Sequence, residues 1–284
     1  MNGSSSCEPE KCGTMPECDG CPSNKKKDEV AGKEMADQPI KKVFAVVSGK
    51  GGVGKSSVTA LLASSARRRG LSVGVLDADI TGPSMPRMFG VKTPIKGDGE
   101  KMLPQKTMTG IELISVNLLL ESEDTPVIWR GPILAGVIQQ FWNDVKWSPL
   151  EVMFIDMPPG TGDVPLTVFQ SLPVDGVIVV TTPQDLVGMI VKKAVRMAEM
   201  MNIPVVGLVE NMAYTACPKC SEKFYPFGKG KTEETAKELD IPLLASLPLN
   251  PLTADFCDTG RVELLDVPEI EAAADSILKL VKLV

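Results

Sequence analysis

The segment Gly49-Lys50-Gly51-Gly52-Val53-Gly54-Lys55-Ser56-Ser57 combines residue types suited to holding an oligophosphate. Its glycines let successive backbone N–H groups curl around an anion, and the N-terminus of a following helix adds its dipole. Lys55 stands where it reaches β- and γ-phosphates, and Ser56 offers a hydroxyl to Mg²⁺. A glycine turn without a ligand has no use for that lysine and serine together. A further lysine, Lys50, precedes Lys55 and cannot easily share a phosphate with it from the same chain. It is better placed to cross a dimer interface and neutralise the γ-phosphate of a second copy, as an arginine finger does.

Phosphate chemistry also needs carboxylates. One acidic element reads Val152-Met153-Phe154-Ile155-Asp156-Met157-Pro158-Pro159-Gly160-Thr161-Gly162-Asp163, and another ends Leu76-Asp77-Ala78-Asp79. Asp156, after an apolar run, fits an aspartate that holds Mg²⁺. The stiff loop behind it presents the Gly160 N–H as a sensor of the γ-phosphate. The chain contains no histidine, which excludes imidazole acid–base chemistry, Ser-His-Asp triads and histidine-ligated zinc. Orientation of an attacking water falls to a carboxylate or to backbone, with Asp79 the candidate and Asp163 the reserve. Asp77 and Asp79 have an alternative reading as ordinary caps after a strand.

Seven cysteines are present. Cys217-Pro218-Lys219-Cys220 supplies two thiolates in a loop that leaves a strand over 205–210, whereas a tetrahedral metal or a cubane cluster wants four. Two chains related by a two-fold axis complete such a site, and this agrees with the placement of Lys50. Taken alone, the pair also reads as half of a zinc knuckle or as a thiol redox pair. Cys7, Cys12, Cys18 and Cys21 provide enough thiolates for a second cluster within one chain; zinc binding or free thiols are the other readings. Cys257, in an apolar setting, reads as a buried small residue.

The elements that must position these residues are visible as patterns. Strands are expected at 42–48, 73–76, 111–116, 152–155, 177–180, 205–209 and 243–247, and helices at 57–69, 133–142, 186–201, 232–239 and 270–283. Such alternation predicts an α/β protein: a mainly parallel sheet covered by helices on both faces, a three-layer αβα arrangement of the P-loop NTPase type. The final helix is expected to pack on the sheet through Ile270, Ala273, Ile277, Leu280, Val281 and Val284. Residues 1–40, poor in aliphatic side chains, read as a flexible cysteine-containing extension, and 41–284 as the ATPase domain. With 284 residues and 43% hydrophobic content the chain can bury one large core. A net charge of −6 argues against a broad nucleic-acid footprint. No apolar run is long enough for a membrane span and no signal peptide is legible, so a cytosolic protein without membrane partners is expected.

At these residues the chain resembles the Mrp/Nbp family of ATP-dependent iron–sulfur cluster carriers. That family lies within the deviant-Walker class that also includes MinD, ParA and the nitrogenase iron protein. The likeness is carried by residues 49–57, Asp77-Ala78-Asp79-Ile80-Thr81-Gly82-Pro83-Ser84, Trp129-Arg130-Gly131-Pro132, residues 156–163, Thr182-Pro183-Gln184, Glu210-Asn211-Met212 and Cys217-Pro218-Lys219-Cys220. It implies a homodimer that binds and slowly hydrolyses ATP with Mg²⁺. It further implies a labile 4Fe–4S cluster held between two Cys217/Cys220 pairs and passed to apo iron–sulfur proteins, with Asn211 on adenine. The N-terminal cysteines resemble the ferredoxin-like extension of one branch but depart from its spacing, and Thr81 stands where many members carry an aromatic residue. Two other functions use part of these residues: a positioning ATPase of the MinD or ParA kind, and a reductase in which ATP gates electron transfer from the cluster.

Overall fold

The computed structural model describes residues 37–79, 84–119, 131–184 and 187–282. Its elements are β1 (Val43–Val47), α1 (Lys55–Arg68), β2 (Val73–Asp77), α2 (Ser84–Met88), β3 (Lys96–Gly97), β4 (Met102–Leu103), β5 (Gln105–Lys106), β6 (Glu112–Ser115) and α3 (Gly131–Asn143). There follow β7 (Val152–Asp156), α4 (Asp163–Ser171), β8 (Gly176–Thr181), α5 (Val187–Met200), β9 (Val205–Ala216) and β10 (Lys223–Phe224). The chain continues with α6 (Thr232–Glu238), β11 (Leu243–Pro248), α7 (Pro251–Asp258) and α8 (Pro268–Lys282).

The main sheet runs β10-β9-β8-β1-β7-β2-β6-β5, with β11 also paired to β9. All pairings among β1, β2, β6, β7, β8, β9 and β11 are parallel, and β5 and β10 join antiparallel. The expected α/β architecture with a mainly parallel sheet therefore forms. Continuous aliphatic runs suit strands that are covered on both faces, and the side chains of β1 divide accordingly. Phe44 and Val46 enter one core with Val58, Leu61 and Leu62 of α1 and Ile270, Ala273 and Ile277 of α8. Val43, Ala45 and Val47 enter the opposite core with Phe141 of α3, Phe169 of α4 and Val191 and Val195 of α5. Helix α8 is thus a packed helix as expected, although Leu280 on its predicted apolar face is exposed.

Several elements differ from the pattern reading. Strand β9 does not stop near residue 209 but runs on to Ala216, because its second half gains β11 on one edge and β10 at its tip. The cysteine pair consequently sits in a hairpin turn between β9 and β10. Helix α7 was not expected, yet its start carries two signals: Asn250 accepts the Leu252 N–H at 3.0 Å and Pro251 stands in the first turn. Helix α4, nine residues long, was also not expected; Gly160, Gly162 and Pro165 crowd its start.

What matters for chemistry is the adjacency of β8, β1, β7 and β2. In register, Asp156 lies beside Val46 on one side and Asp77 on the other. The carboxyl ends of these strands, where open α/β sheets bind ligands, thereby collect the glycine loop and both acidic elements.

Candidate functional site

The loop between β1 and α1 turns on Gly52 and Gly54, each at φ 78°. Gly54 has a second constraint, since a Cβ there would come within 2.2 Å of Asn211 Nδ2. Helix α1 begins with neither an acidic residue nor a side-chain cap, so its N-terminal dipole is left for an anion. Around it, Ser48, Gly51 to Ser57, Asp79, Met88 and Pro159 line a cleft of about 280 Å³.

Lys55 is buried and lies 2.7 Å from Asp156 Oδ1 and 3.4 Å from Asp79 Oδ2. Asp156, fully buried, also accepts hydrogen bonds from Ser56 Oγ at 2.6 Å and Thr59 Oγ1 at 2.9 Å. Asp77 is equally buried and accepts from Ser115 Oγ at 2.8 Å and from the Asp79 N–H at 3.1 Å. This last bond is the strand-end cap foreseen as an alternative role. Burial, then the Asp156 charge, push the Asp77 carboxyl well above the usual range. Burial also raises Asp156, against the pull of the Lys55 ammonium. The hard oxygen donors of Ser56 and Asp156, side by side, fit a magnesium ion.

Two backbone bonds tie the loop after β7 to the end of β1 and the start of the glycine loop: Met157 N–H donates to Val46 O at 3.1 Å, and Gly160 N–H to Ser48 O at 2.8 Å. The Gly160 N–H, expected to face a phosphate, is thus bonded to the glycine loop itself, and a phosphate contact requires that bond to open. Lys50, whose carbonyl accepts from Ser48 Oγ at 3.0 Å, directs its ammonium to Gln184 Oε1 beyond β8.

Asn211, on β9, donates from Nδ2 to Val53 O at 2.9 Å. Beside it is a cavity of about 480 Å³ whose walls include Leu61, Tyr214, Leu247, Pro248, Leu249, Asn250 and Pro251. Farther along the same strand is the cysteine turn, closed by Cys217 N–H to Glu222 O at 2.9 Å and Ser221 N–H to Cys217 O at 2.8 Å. Backbone N–H groups of Lys219 and Cys220 hydrogen-bond the Cys217 sulfur and, with the Cys220 thiol, lower its pKa. A sulfur held among N–H donors is prepared to exist as thiolate, the form that binds metal. Cys220 is exposed. Among the described residues no group of three or more His, Cys, Asp or Glu side chains is placed to hold a metal ion, so this pair has no third protein ligand there.

Cys257 is buried, as expected; burial raises its thiol pKa while a hydrogen bond with Ser57 opposes it. Cys7, Cys12, Cys18, Cys21, Thr81, Trp129 and Arg130 lie outside the described residues, as does the side chain of Asp163. Pattern reading missed Thr59 as a partner of Asp156, although Ser56 and Thr59 are neighbours on one helix face. It also missed Gln184 as the partner of Lys50, and Tyr214, Lys223 and Glu269 around the cavity; these depend on long-range contacts and have no local signal. Among the described residues no helix is long and apolar enough to cross a membrane.

Comparison with known proteins agrees with this geometry. The family model described as ParA, NUBPL iron-transfer P-loop NTPase, matches residues 39–284. A Clostridium perfringens protein named iron-sulfur cluster carrier protein is 50% identical over 232 residues, covering 79% of this chain and 81% of its own. One of the same name from Methanocaldococcus jannaschii is 43% identical over 280 residues, 96% of this chain and 94% of its own. Among solved structures, a nucleotide-binding protein from Archaeoglobus fulgidus in complex with ADP is 42% identical, with TM-score 0.74, covering 81% of this chain and 90% of that one. The cell division ATPase MinD of Pyrococcus furiosus, at 19% identity and TM-score 0.60, shares the fold over 84% of this chain and 99% of its own. With the glycine loop, the paired carboxylates and the match over 39–284 in place, the chain belongs to the NUBPL iron-transfer P-loop NTPase family.

Proposed function

We propose that this protein binds and hydrolyses ATP and carries an iron–sulfur cluster, which it hands to apo-proteins. One observation carries the reading: strand β9 bears both Asn211, bonded to the phosphate loop, and, directly beyond its end, the Cys217/Cys220 turn. A positioning ATPase leaves that thiol pair without a role.

The residues divide the work as follows. Lys55 leaves Asp156 for the β- and γ-phosphates, and the loop N–H groups of residues 51–57 cradle the same anion. Ser56 and Asp156 hold magnesium, which when bound neutralises charge on the phosphates. Asp79, next to Lys55 in the cleft, orients the attacking water, whose oxygen displaces ADP from the γ-phosphorus. Gly160 exchanges Ser48 O for the γ-phosphate, so that the loop after β7 reports which nucleotide is present. Lys50 exchanges Gln184 for the phosphate of a second copy. Adenine lies in the cavity at Asn211, with an exocyclic N–H donated to the amide oxygen. Each chain of a homodimer gives two thiolates, Cys217 and Cys220, to one 4Fe–4S cluster, and Cys7, Cys12, Cys18 and Cys21 are assigned a second.

The test is anaerobic reconstitution with iron and sulfide, measuring iron and sulfide per chain and the visible absorbance. The wild type is compared with Cys217→Ser/Cys220→Ser. Loss in the double variant of a share equal to one cluster per dimer supports the reading. Iron binding by neither protein, with ATPase activity kept, overturns it.

A further inference from the structure

The turn that carries Cys217 and Cys220 is also part of the wall of the cavity beside Asn211. Ala216, Ser221 and Lys223 face that cavity together with Leu249, Asn250 and Pro251. Ser221, at φ 59°, donates its N–H to the carbonyl of Cys217 at 2.8 Å. Lys223 places its ammonium 3.9 Å from the centre of the Tyr214 ring, and Tyr214 donates its hydroxyl to Glu269 Oε1 at 2.7 Å at the start of α8. Asn211, bonded to Val53 in the phosphate loop, and Tyr214, under the Lys223 ammonium, thus line one cavity from a single strand, β9, which continues into the cysteine turn.

The turn is lightly held. β10, at the edge of the sheet, pairs with β9 through two residue pairs, Lys223 with Ala216 and Phe224 with Thr215. The cation over Tyr214 is a further tie between the turn and β9, and both residues of that pair line the cavity. A ligand that favours one arrangement of the turn changes the affinity of whatever the turn holds, and the effect is reciprocal.

We propose that nucleoside binding and the thiol pair are coupled within a single chain, with Lys223 as the positioning residue between the cavity and the Cys217/Cys220 turn. This rests on the nucleotide and cysteine sites assigned above, and goes beyond them in two respects. The coupling needs no γ-phosphate, because the contact lies at the nucleoside end. It also needs no second copy, because every contact in the chain of residues is intramolecular.

The experiment uses the full-length, cluster-free protein with MgADP as the probe. ADP binding is titrated first for each protein, and each is then alkylated with iodoacetamide with and without saturating ADP. Rates at Cys217 and Cys220 are read separately by peptide mass. Coupling of ordinary strength predicts that ADP changes these rates by about 5-fold or more in the wild type. Lys223→Ala at its own saturating ADP is expected to lose that response, and Lys223→Arg, which keeps a cation over Tyr214, to restore it. Wild-type rates that ignore bound ADP overturn the coupling, and a full response in Lys223→Ala overturns the role of Lys223. Failure of the wild type to bind ADP is a different result, which overturns the nucleotide site itself.

Discussion

Lys55 Nζ lies 2.7 Å from Asp156 Oδ1, so the phosphate-loop lysine is paired with the carboxylate assigned to magnesium. Both groups are buried, and Asp79 Oδ2 is 3.4 Å from the same ammonium. The pair keeps the charges compensated inside the cleft and gives each a partner to exchange when phosphate and magnesium bind.

Lys55→Ala is accordingly expected to do more than abolish nucleotide binding. Removing one partner of a buried ion pair typically costs about 3–5 kcal/mol, and urea unfolding of the nucleotide-free protein should reveal a loss of that order. Stability equal to the wild type would mean that the pair is not desolvated.

Asp77 gives a pH dependence of defined sign. Burial and the neighbouring Asp156 charge favour its protonated form in the folded chain. The folded state therefore binds more protons than the unfolded one once pH exceeds the ordinary aspartate value of about 3.9. Stability contributed by the protonated group is present below that value and is lost as pH rises toward the elevated folded pKa. Asp77→Asn, which keeps an acceptor for the Asp79 N–H, should flatten the rise in stability on acidification across that window, as read by thermal unfolding.

The two cysteine environments predict opposite reactivity. N–H groups from Lys219 and Cys220 lower Cys217, whereas burial raises Cys257. In a pH series of iodoacetamide alkylation, Cys217 should reach half its maximal rate below the ordinary cysteine value of about 8.5. Cys257 should react only above it, and slowly. Equal profiles would contradict the assigned hydrogen bonds.

Lys50 separates binding from turnover. Because its ammonium contacts Gln184 in its own chain, Lys50→Ala removes no link between phosphate loop and ADP. If Lys50 acts as a finger for a second copy, the variant should lose about 10³–10⁵ in ATP hydrolysis. An unchanged turnover rate would remove that role.

Composition and spacing alone determined the class of this protein and its phosphate loop. The aliphatic runs 43–47, 73–77, 152–156 and 176–181 can only be covered on both faces, and the pattern at residues 49–57 serves an anion whatever surrounds it. Local signals are enough there, because strand burial and glycine-loop conformation are decided within a few residues. Helix α7 was equally legible in its Asn250 cap and Pro251, and was overlooked. The rest was settled by strand order, which no local pattern encodes. Placing β7 between β1 and β2 sets Asp156 between Val46 and Asp77 and brings Lys55 onto Asp156. Extending β9 past residue 209 required β11 and β10 as edge partners from later in the chain. That extension sets the cysteine turn against the cavity at Asn211, a relationship created by long-range pairing and invisible in the spacing of Asn211, Cys217 and Cys220.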